Sequence, residues 1–393
     1  MSTSAEPGRT WPLVGRAAEL DDLDDLLSSA AGGLGATVLV EGEAGIGRTG
    51  LVEALSASAR LLSLALRTAR ATPERSEPYA LLDDALLVHP PGVARGPVES
   101  ELADLLEALR ADVRRTTLRG AVLDEERRAR AVELFAALLR RRGDGGPWVL
   151  VLEDVHDADP ASLDVLRALA HEGPMPGALV VLTFRPVPSR PDLSRVVDAW
   201  VRAGARSVEL RPLGPAATVE LAQRLVGGSV GPALRGALAT TGGNPRFVTD
   251  VVRCARSAGA LESRDGVVDV QGAAWLTALD TVVRTRLAYL DADVLDLLAH
   301  ASVLGTSFVV TDLATLVGCP VPDCWRTLRV ALAAGLVHAR ADRLVFRHDV
   351  VRAALYGGLD EARRRAMHAR AAWALREAGA PTQIVAGHLE RAR

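Results

Sequence analysis

Eight consecutive residues, Gly42-Glu43-Ala44-Gly45-Ile46-Gly47-Arg48-Thr49, fit the spacing G-x-x-x-x-G-K-S/T at every defined position except the Lys, which is Arg48. Glycines at these positions let the backbone curl so that successive N–H groups face inward, a concavity suited to phosphate oxygens. A helix starting near Arg48 adds its positive N-terminal end to the same place. Thr49 offers a hydroxyl to a Mg²⁺ ion accompanying the phosphates. The bland alternative is a Gly-rich strand-to-helix turn with no ligand. Against it stands the order of strand, loop and helix around these residues. Arg48 is the departure that matters: Lys reaches a phosphate as a compact charge, whereas Arg brings a longer planar fork. All 46 basic residues of the chain are Arg, so the exchange reads either as coding drift with function kept or as a loss of catalytic geometry.

A second group closes an apolar run. Leu150-Val151-Leu152-Glu153-Asp154 is a strand ending in two acids. Glu153 is placed to support the Mg²⁺ shell and Asp154 to polarise an attacking water. The extra methylene of Glu153 leaves these two roles exchangeable; a solvated strand end is the alternative. His156, Asp157 and Asp159 follow in a loop and form a second, weaker candidate metal cluster. Arg185 ends a further apolar run, Leu182-Thr183-Phe184-Arg185. Ligands of such sheets lie beyond the carboxyl ends of the strands, so an Arg there can report on a γ-phosphate.

The elements that must position these groups are legible in part. The apolar runs 36–41, 148–152 and 178–184 read as buried strands, and 206–210 adds a last one. A helix with Pro160 in its first turn lies between the second and third runs. Fully apolar strands alternating with helices predict a parallel sheet covered on both faces. Residues 85–125, with Pro90, Pro91 and Pro97, read as an insertion of unassigned structure. Beyond Pro215 the strand signals stop. Helices are expected at about 215–226, 231–240, 245–258, 276–289, 292–302 and 322–334, with a loop over 262–270. Two short apolar runs, 336–338 and 344–346, then form a hairpin, and helix resumes from about 360. The pattern reaches Arg393 without a stop signal, which predicts a piece of a longer protein.

Composition narrows the function classes. A chain of 393 residues exceeds the length at which one core keeps growing, so two or three packed subdomains are expected. The net charge of −3 argues against a general nucleic-acid or membrane-surface binder. The three cysteines, Cys254, Cys319 and Cys324, are an odd and sparse set that predicts no disulfide framework. With no signal peptide and no long uncharged apolar stretch, the expectation is a cytoplasmic protein with no membrane partner.

Taken together these residues resemble the STAND class of P-loop ATPases, in particular the N-terminal ATPase region of the large LuxR-type (LAL) transcriptional regulators. Val14-Gly15-Arg16 resembles the opening motif of the family, which lies against the adenine, although Ala17 stands where Glu is common. Residues Glu153 to Asp159 are similar to its acidic signature. Gly242-Gly243-Asn244-Pro245 resembles the lid-helix motif whose Pro contacts the base. Phe346 to Arg352 resembles the segment whose His, here His348, touches the β-phosphate of ADP in a closed state. Arg363 to Leu375 is similar to the first helices of a superhelical repeat.

The resemblance implies an α/β P-loop, AAA+-like parallel-sheet domain followed by a helical lid, a winged-helix domain and the start of TPR-like helical repeats. The expected divisions are 1–35, 36–212, 213–265, 266–358 and 359–393. It implies ATP, ADP and Mg²⁺ as ligands, slow ATP hydrolysis at most, an inducer of unknown identity and an oligomerising open form. DNA would be read only through a C-terminal domain outside this sequence. The rivals are a turnover ATPase coupled to another effector, such as a cyclase or kinase module, and a scaffold in which Arg48 has ended hydrolysis.

Overall fold

The structure is a computed structural model that describes residues 13–88, 96–112, 120–143, 145–187 and 189–393. The opening polar segment, Met1 to Thr10, and Pro90 and Pro91 lie outside the described residues. The chain divides into two compact units. One comprises residues 1–42 with 47–210, the other residues 43–46 with 211–393.

The first unit runs α1 (Ala17–Ala31), β1 (Ala36–Gly42), α2 (Arg48–Leu61), β2 (Ala65–Arg70), α3 (Ala80–Leu86), α4 (Pro97–Asp112) and α5 (Gly120–Gly143). It continues with β3 (Trp148–Glu153), α6 (Pro160–Glu172), β4 (Ala178–Phe184), α7 (Pro191–Arg202) and β5 (Arg206–Leu210). The five strands form one sheet in the order β2-β3-β4-β1-β5, every pairing parallel. β3 and β4 are buried along almost their whole length, as their unbroken Val and Leu runs require. Leu39, Leu150, Leu152, Val180 and Leu182 pack there with Phe135, Leu166 and Trp200. Each fully buried Leu stabilises by about 1.5–3 kcal/mol relative to exposure.

Because all strands are parallel, their carboxyl ends share one edge. Arg70 pairs in register with Glu153, and Glu41 with Phe184, so β1, β2, β3 and β4 end together. The strand β2 was not foreseen. Its sequence, Ala-Leu-Arg-Thr-Ala-Arg, is half polar, which an edge strand tolerates because one side faces no partner strand and most of its residues stay partly exposed. Residues 85–125, read as an unassigned insertion, include the end of α3, α4 and the start of α5.

The second unit is mainly helical: α8 (Pro215–Val226), β6 (Ser229–Val230), α9 (Pro232–Ala239), α10 (Pro245–Ser257), β7 (Leu261–Arg264), β8 (Val267–Val270), α11 (Ala274–Arg286) and α12 (Ala292–Leu304). Then follow β9 (Ser307–Phe308), α13 (Val310–Val317), α14 (Val321–Ala333), β10 (Val337–Arg340), β11 (Arg343–Phe346), α15 (Asp349–Gly357), α16 (Glu361–Glu377) and α17 (Thr382–Arg391). Three helix starts, at Pro215, Pro232 and Pro245, carry Pro in the first turn, where a missing N–H costs nothing. The expected loop over 262–270 is a hairpin instead. Asp265 (φ 52°) and Gly266 (φ 75°) form a two-residue turn between β7 and β8. Asp-Gly is a strong local signal for such a turn.

The cysteine expectation is also corrected. Cys319, just beyond α13, and Cys324, in the first turn of α14, are joined by a disulfide, while Cys254 is buried and free. The turn at Gly318 (φ 79°) folds the chain back so that two cysteines five positions apart meet. Among the described residues no helix is long and apolar enough to cross a membrane.

Candidate functional site

β1 ends at Gly42 and α2 begins at Arg48, as the loop pattern requires. Gly47, the N-cap of α2, has φ 104°, a conformation that a side chain would strain. No side chain caps α2, so the N–H groups of its first turn present their partial positive charge to an incoming anion. Arg48 does not reach into open space. Its Nη1 donates to the Gly42 carbonyl and its Nη2 to Asp154 Oδ1 at 3.0 Å. Burial lowers the Arg48 pKa from its usual value, against the opposing pull of Asp154.

Glu153 and Asp154 close β3, and Asp154 takes φ 54°, uncommon for a residue with a side chain. Its N–H donates to Thr183 Oγ1 at 3.0 Å, which ties the acidic turn to the neighbouring strand. Between the loop and the acids stands a residue that the sequence reading missed. Arg70 Nη2 lies 2.6 Å from Glu153 Oε2 and 3.2 Å from Thr49 Oγ1, and its Nε lies 3.7 Å from Asp154 Oδ2. Burial works against its charge, but Glu153 and then Asp154 outweigh it and raise the Arg70 pKa. The signal for Arg70 was its place at the end of β2 beside Glu153, invisible while β2 went unrecognised.

Arg185, just past β4, turns to the acidic loop. Its N–H donates to His156 Nδ1 at 3.3 Å, and its Nη2 lies 3.5 Å from Asp157 Oδ2. Burial first, then the charges of Arg185, Arg48 and Arg190, push His156 down to about 3, so it stays neutral at ordinary pH. Among the described residues no group of three His, Cys, Asp or Glu side chains could hold a metal, which removes the candidate cluster at 156–159. Asp159 is instead the N-cap of α6, accepting from the Ser162 and Tyr79 N–H groups at 2.8 Å each. Val14 and Arg16 are buried just before α1, Gly15 has φ 65°, and Arg16 pairs with Glu19 at 3.0 Å. The segment passes close to α2: a Cβ on Gly50 would lie 3.4 Å from Leu13 Cδ1.

In the second unit, the loop tip Glu43-Ala44-Gly45-Ile46 meets two of the later motifs. Asn244 caps α10 through Oδ1, which accepts from the Arg246 N–H at 3.0 Å. Its Nδ2 donates to Glu43 Oε1 at 2.7 Å and to the Ala44 carbonyl at 3.0 Å. Pro245 follows as the first residue of α10. The Gly45 carbonyl accepts from the Arg246 N–H at 3.2 Å, and a Cβ on Gly45 would come within 2.5 Å of Arg246 Cβ. His348 is buried, with Nε2 3.3 Å from Glu43 Oε1 and Nδ1 2.8 Å from the Thr241 carbonyl. Gly242 makes room for it, since a Cβ there would sit 2.4 Å from His348 Nδ1. A cavity of about 270 Å³ opens beside these residues, lined by Glu43, Asn244, Arg246, Phe247 and His348 among others.

The first unit thus gathers Gly42, Gly47, Arg48, Thr49, Glu153 and Asp154. The second gathers Glu43, Ala44, Gly45, Asn244 and His348. The residues of the first unit fit a magnesium nucleotide on two counts. The uncapped N-terminus of α2 suits phosphate, and Thr49 Oγ1 and Glu153 Oε2 converge on one cationic group, here the Arg70 guanidinium.

Residues 12–182 match the AAA ATPase domain family. Among solved structures, the chain is similar to a Walker-type ATPase of Pyrococcus abyssi at 15% identity and TM-score 0.51, over 87% of this chain and 96% of that one. It is similar to the Aeropyrum pernix ORC2 protein in its ADPNP-ADP complexes at 13% identity and TM-score 0.49, over 89% and 95%. A STAND protein of Pyrococcus horikoshii with a tetratricopeptide repeat sensor matches at 17% identity and TM-score 0.35, over 99% of this chain and 50% of that one. No curated protein matches the chain. The family match, the parallel sheet and the loop at its carboxyl edge make the N-terminal part of this chain a P-loop nucleotide-binding module of the AAA ATPase type.

Proposed function

We propose that this chain is the ATP/ADP-dependent switch of a STAND-type regulator related to the large LuxR-type transcription factors. The observation that carries this reading is His348, buried and aimed at Glu43 of the phosphate loop, next to Asn244 of the Gly-Gly-Asn-Pro segment. A histidine that arrives from a separate helical segment and ends on a phosphate loop suits a group that senses whether a diphosphate is held. In the proposed switch ADP holds the closed form, and ATP with an inducer favours an open, oligomerising form. Such a switch needs a difference in nucleotide affinity between two states rather than fast turnover.

The roles follow from position. The N–H groups of 43–49 bind phosphate, Val14 to Arg16 and Pro245 flank the adenine, and His348 faces the β-phosphate. Thr49 and Glu153 would hold Mg²⁺, whose chemistry is to neutralise charge on the phosphate oxygens. Asp154 orients the attacking water and Arg185 reports on the γ-phosphate. The divisions 1–35, 36–212, 213–265, 266–358 and 359–393 are adenine-side segment, core, lid, winged-helix domain and start of repeats. The succession α12, α13, α14 and the hairpin β10–β11 supports the winged-helix division, and the pairing of α16 with α17 supports the repeats. DNA recognition would fall to a further segment of the intact protein.

One observation favours the second reading, a nucleotide-binding scaffold without hydrolysis. Arg48 is bound to Asp154, the group proposed to orient water, so both are engaged with each other. The test of the main reading is the nucleotide released from purified, heat-denatured protein. ADP is the expected occupant, and protein that neither carries nor binds adenine nucleotide overturns it.

A further inference from the structure

Arg70 has no part in the roles given above, yet it touches three of the groups that carry them. It ends β2 directly in register with Glu153 at the end of β3. One of its nitrogens, Nη2, serves both Glu153 Oε2 at 2.6 Å and Thr49 Oγ1 at 3.2 Å, while Nε faces Asp154 Oδ2 at 3.7 Å. The hydroxyl of the phosphate loop and the acid of the strand end are the two protein groups suited to a divalent cation, and a guanidinium already bridges them. At 2.6 Å from Glu153 Oε2 it occupies that carboxylate oxygen.

We infer that Arg70 is a resident counter-cation of the nucleotide site: it takes the place of Mg²⁺ between Thr49 and Glu153, so that a nucleoside diphosphate binds without a divalent ion. This inference rests on the nucleotide-switch reading. The physical balance supports it. A guanidinium is weakly hydrated and always charged, whereas Mg²⁺ gives up its water reluctantly and demands near-octahedral geometry. Arg48 cannot substitute, because its two terminal nitrogens are bound to the Gly42 carbonyl and to Asp154. The Arg70 side chain is 45% exposed, so it can swing into solvent without opening the core. Mg²⁺ brought in by a nucleoside triphosphate must displace it, which biases the resting protein toward the metal-free diphosphate.

The experiment is calorimetric titration of ADP into the full chain, in EDTA and in excess Mg²⁺, for wild type, Arg70→Ala and Arg70→Lys. Wild type is expected to bind ADP equally well in both buffers. Arg70→Ala should lose about ten- to hundredfold in EDTA, the value of one hydrogen bond to a charged group, and recover with Mg²⁺. Arg70→Lys should stay independent of the metal. A second reading uses Mn²⁺ as a paramagnetic probe: it should bind ADP-loaded Arg70→Ala more tightly than ADP-loaded wild type. If Arg70→Ala fails to fold, Arg70→Gln is read in the same two assays. A wild type whose ADP binding needs Mg²⁺ as much as the Ala or Gln variant does overturns the role of Arg70 and leaves the nucleotide site standing. Absence of ADP binding by wild type in both buffers overturns the nucleotide-switch reading and this inference with it.

Discussion

His348 spans the gap between the Thr241 carbonyl and the Glu43 carboxylate, with Nδ1 at 2.8 Å from the one and Nε2 at 3.3 Å from the other. A carbonyl oxygen only accepts, so the Nδ1 nitrogen carries the proton of that hydrogen bond and the ring is held in one orientation. Phe247 packs edge-on against it at 5.3 Å, which leaves the imidazole little freedom to rotate. Nε2 is therefore directed at Glu43 of the phosphate loop.

From this orientation Nε2 donates to a phosphate oxygen in the imidazolium form, in which both ring nitrogens carry protons. His348→Ala is expected to weaken ADP more than ATP, by about ten- to hundredfold for a lost hydrogen bond to a charged group. Titration of both nucleotides into wild type and variant measures the difference. Equal weakening of the two, or none, removes His348 from the switch.

Arg48 should still attract phosphate, because its charge is permanent. Its guanidinium is committed to Gly42 and Asp154, so it is poorly placed to follow a phosphoryl group through a transition state that depends on placement within about 1 Å. Hydrolysis well below the roughly 1–100 s⁻¹ of efficient phosphoryl-transfer enzymes is expected. Arg48→Lys should release Asp154 and raise single-turnover hydrolysis at saturating Mg-ATP, while Arg48→Ala should lose affinity. A Lys variant no faster than wild type would show that the loop has adapted to Arg.

The stability of the second unit should hinge on Asp250. Its side chain is fully buried on α10, 2.7 Å from Arg253 Nη2, 3.3 Å from Arg286 Nε and 3.8 Å from Arg246 Nε. Its three arginine partners are a third to a half exposed and can turn to water once the acid is gone. Asp250→Ala is therefore expected to cost about 1.5–3 kcal/mol, the value of hydrogen bonds to a charged group. Urea unfolding of both proteins checks it. A loss under about 1 kcal/mol would mean that the group behaves as an exposed pair.

A pH dependence is expected from α16 and α17. His368 and His388 meet Nδ1 to Nδ1 at 2.9 Å, and the Tyr356 hydroxyl lies 2.8 Å from His368 Nε2. Burial, then His388, Arg391 and Arg364, hold His368 at about 4, and burial with Arg391 lowers His388. Depressed pKa values mean that the folded state binds fewer protons than the unfolded chain. The contribution is complete above the ordinary histidine value of about 6.5 and is lost as pH falls toward 4. Thermal unfolding should therefore show a falling Tm across that window, with a shallower fall in His368→Gln. Parallel slopes for the two proteins would assign the loss to other groups.

Much of the nucleotide core was legible in the sequence, for a local reason. A strand buried on both faces must be apolar along its whole length, so β1, β3 and β4 announce themselves as Val and Leu runs. The loop at 42–49 and the acids at 153–154 follow from spacing alone, and the helices starting at Pro215, Pro232 and Pro245 carry their own start signals. Even the missed hairpin at 261–270 had a local marker in Asp265-Gly266. What tertiary structure decided are the partners. Arg70 lies on a half-polar edge strand, and nothing in its neighbours along the chain says that sheet order sets it beside Glu153 and Thr49. The same holds for His348 with Glu43, Asn244 with Ala44, and His368 with His388. Periodicity and turn chemistry act over a few residues, whereas a side chain's partner across the fold depends on strand order and helix packing, which only the folded chain defines.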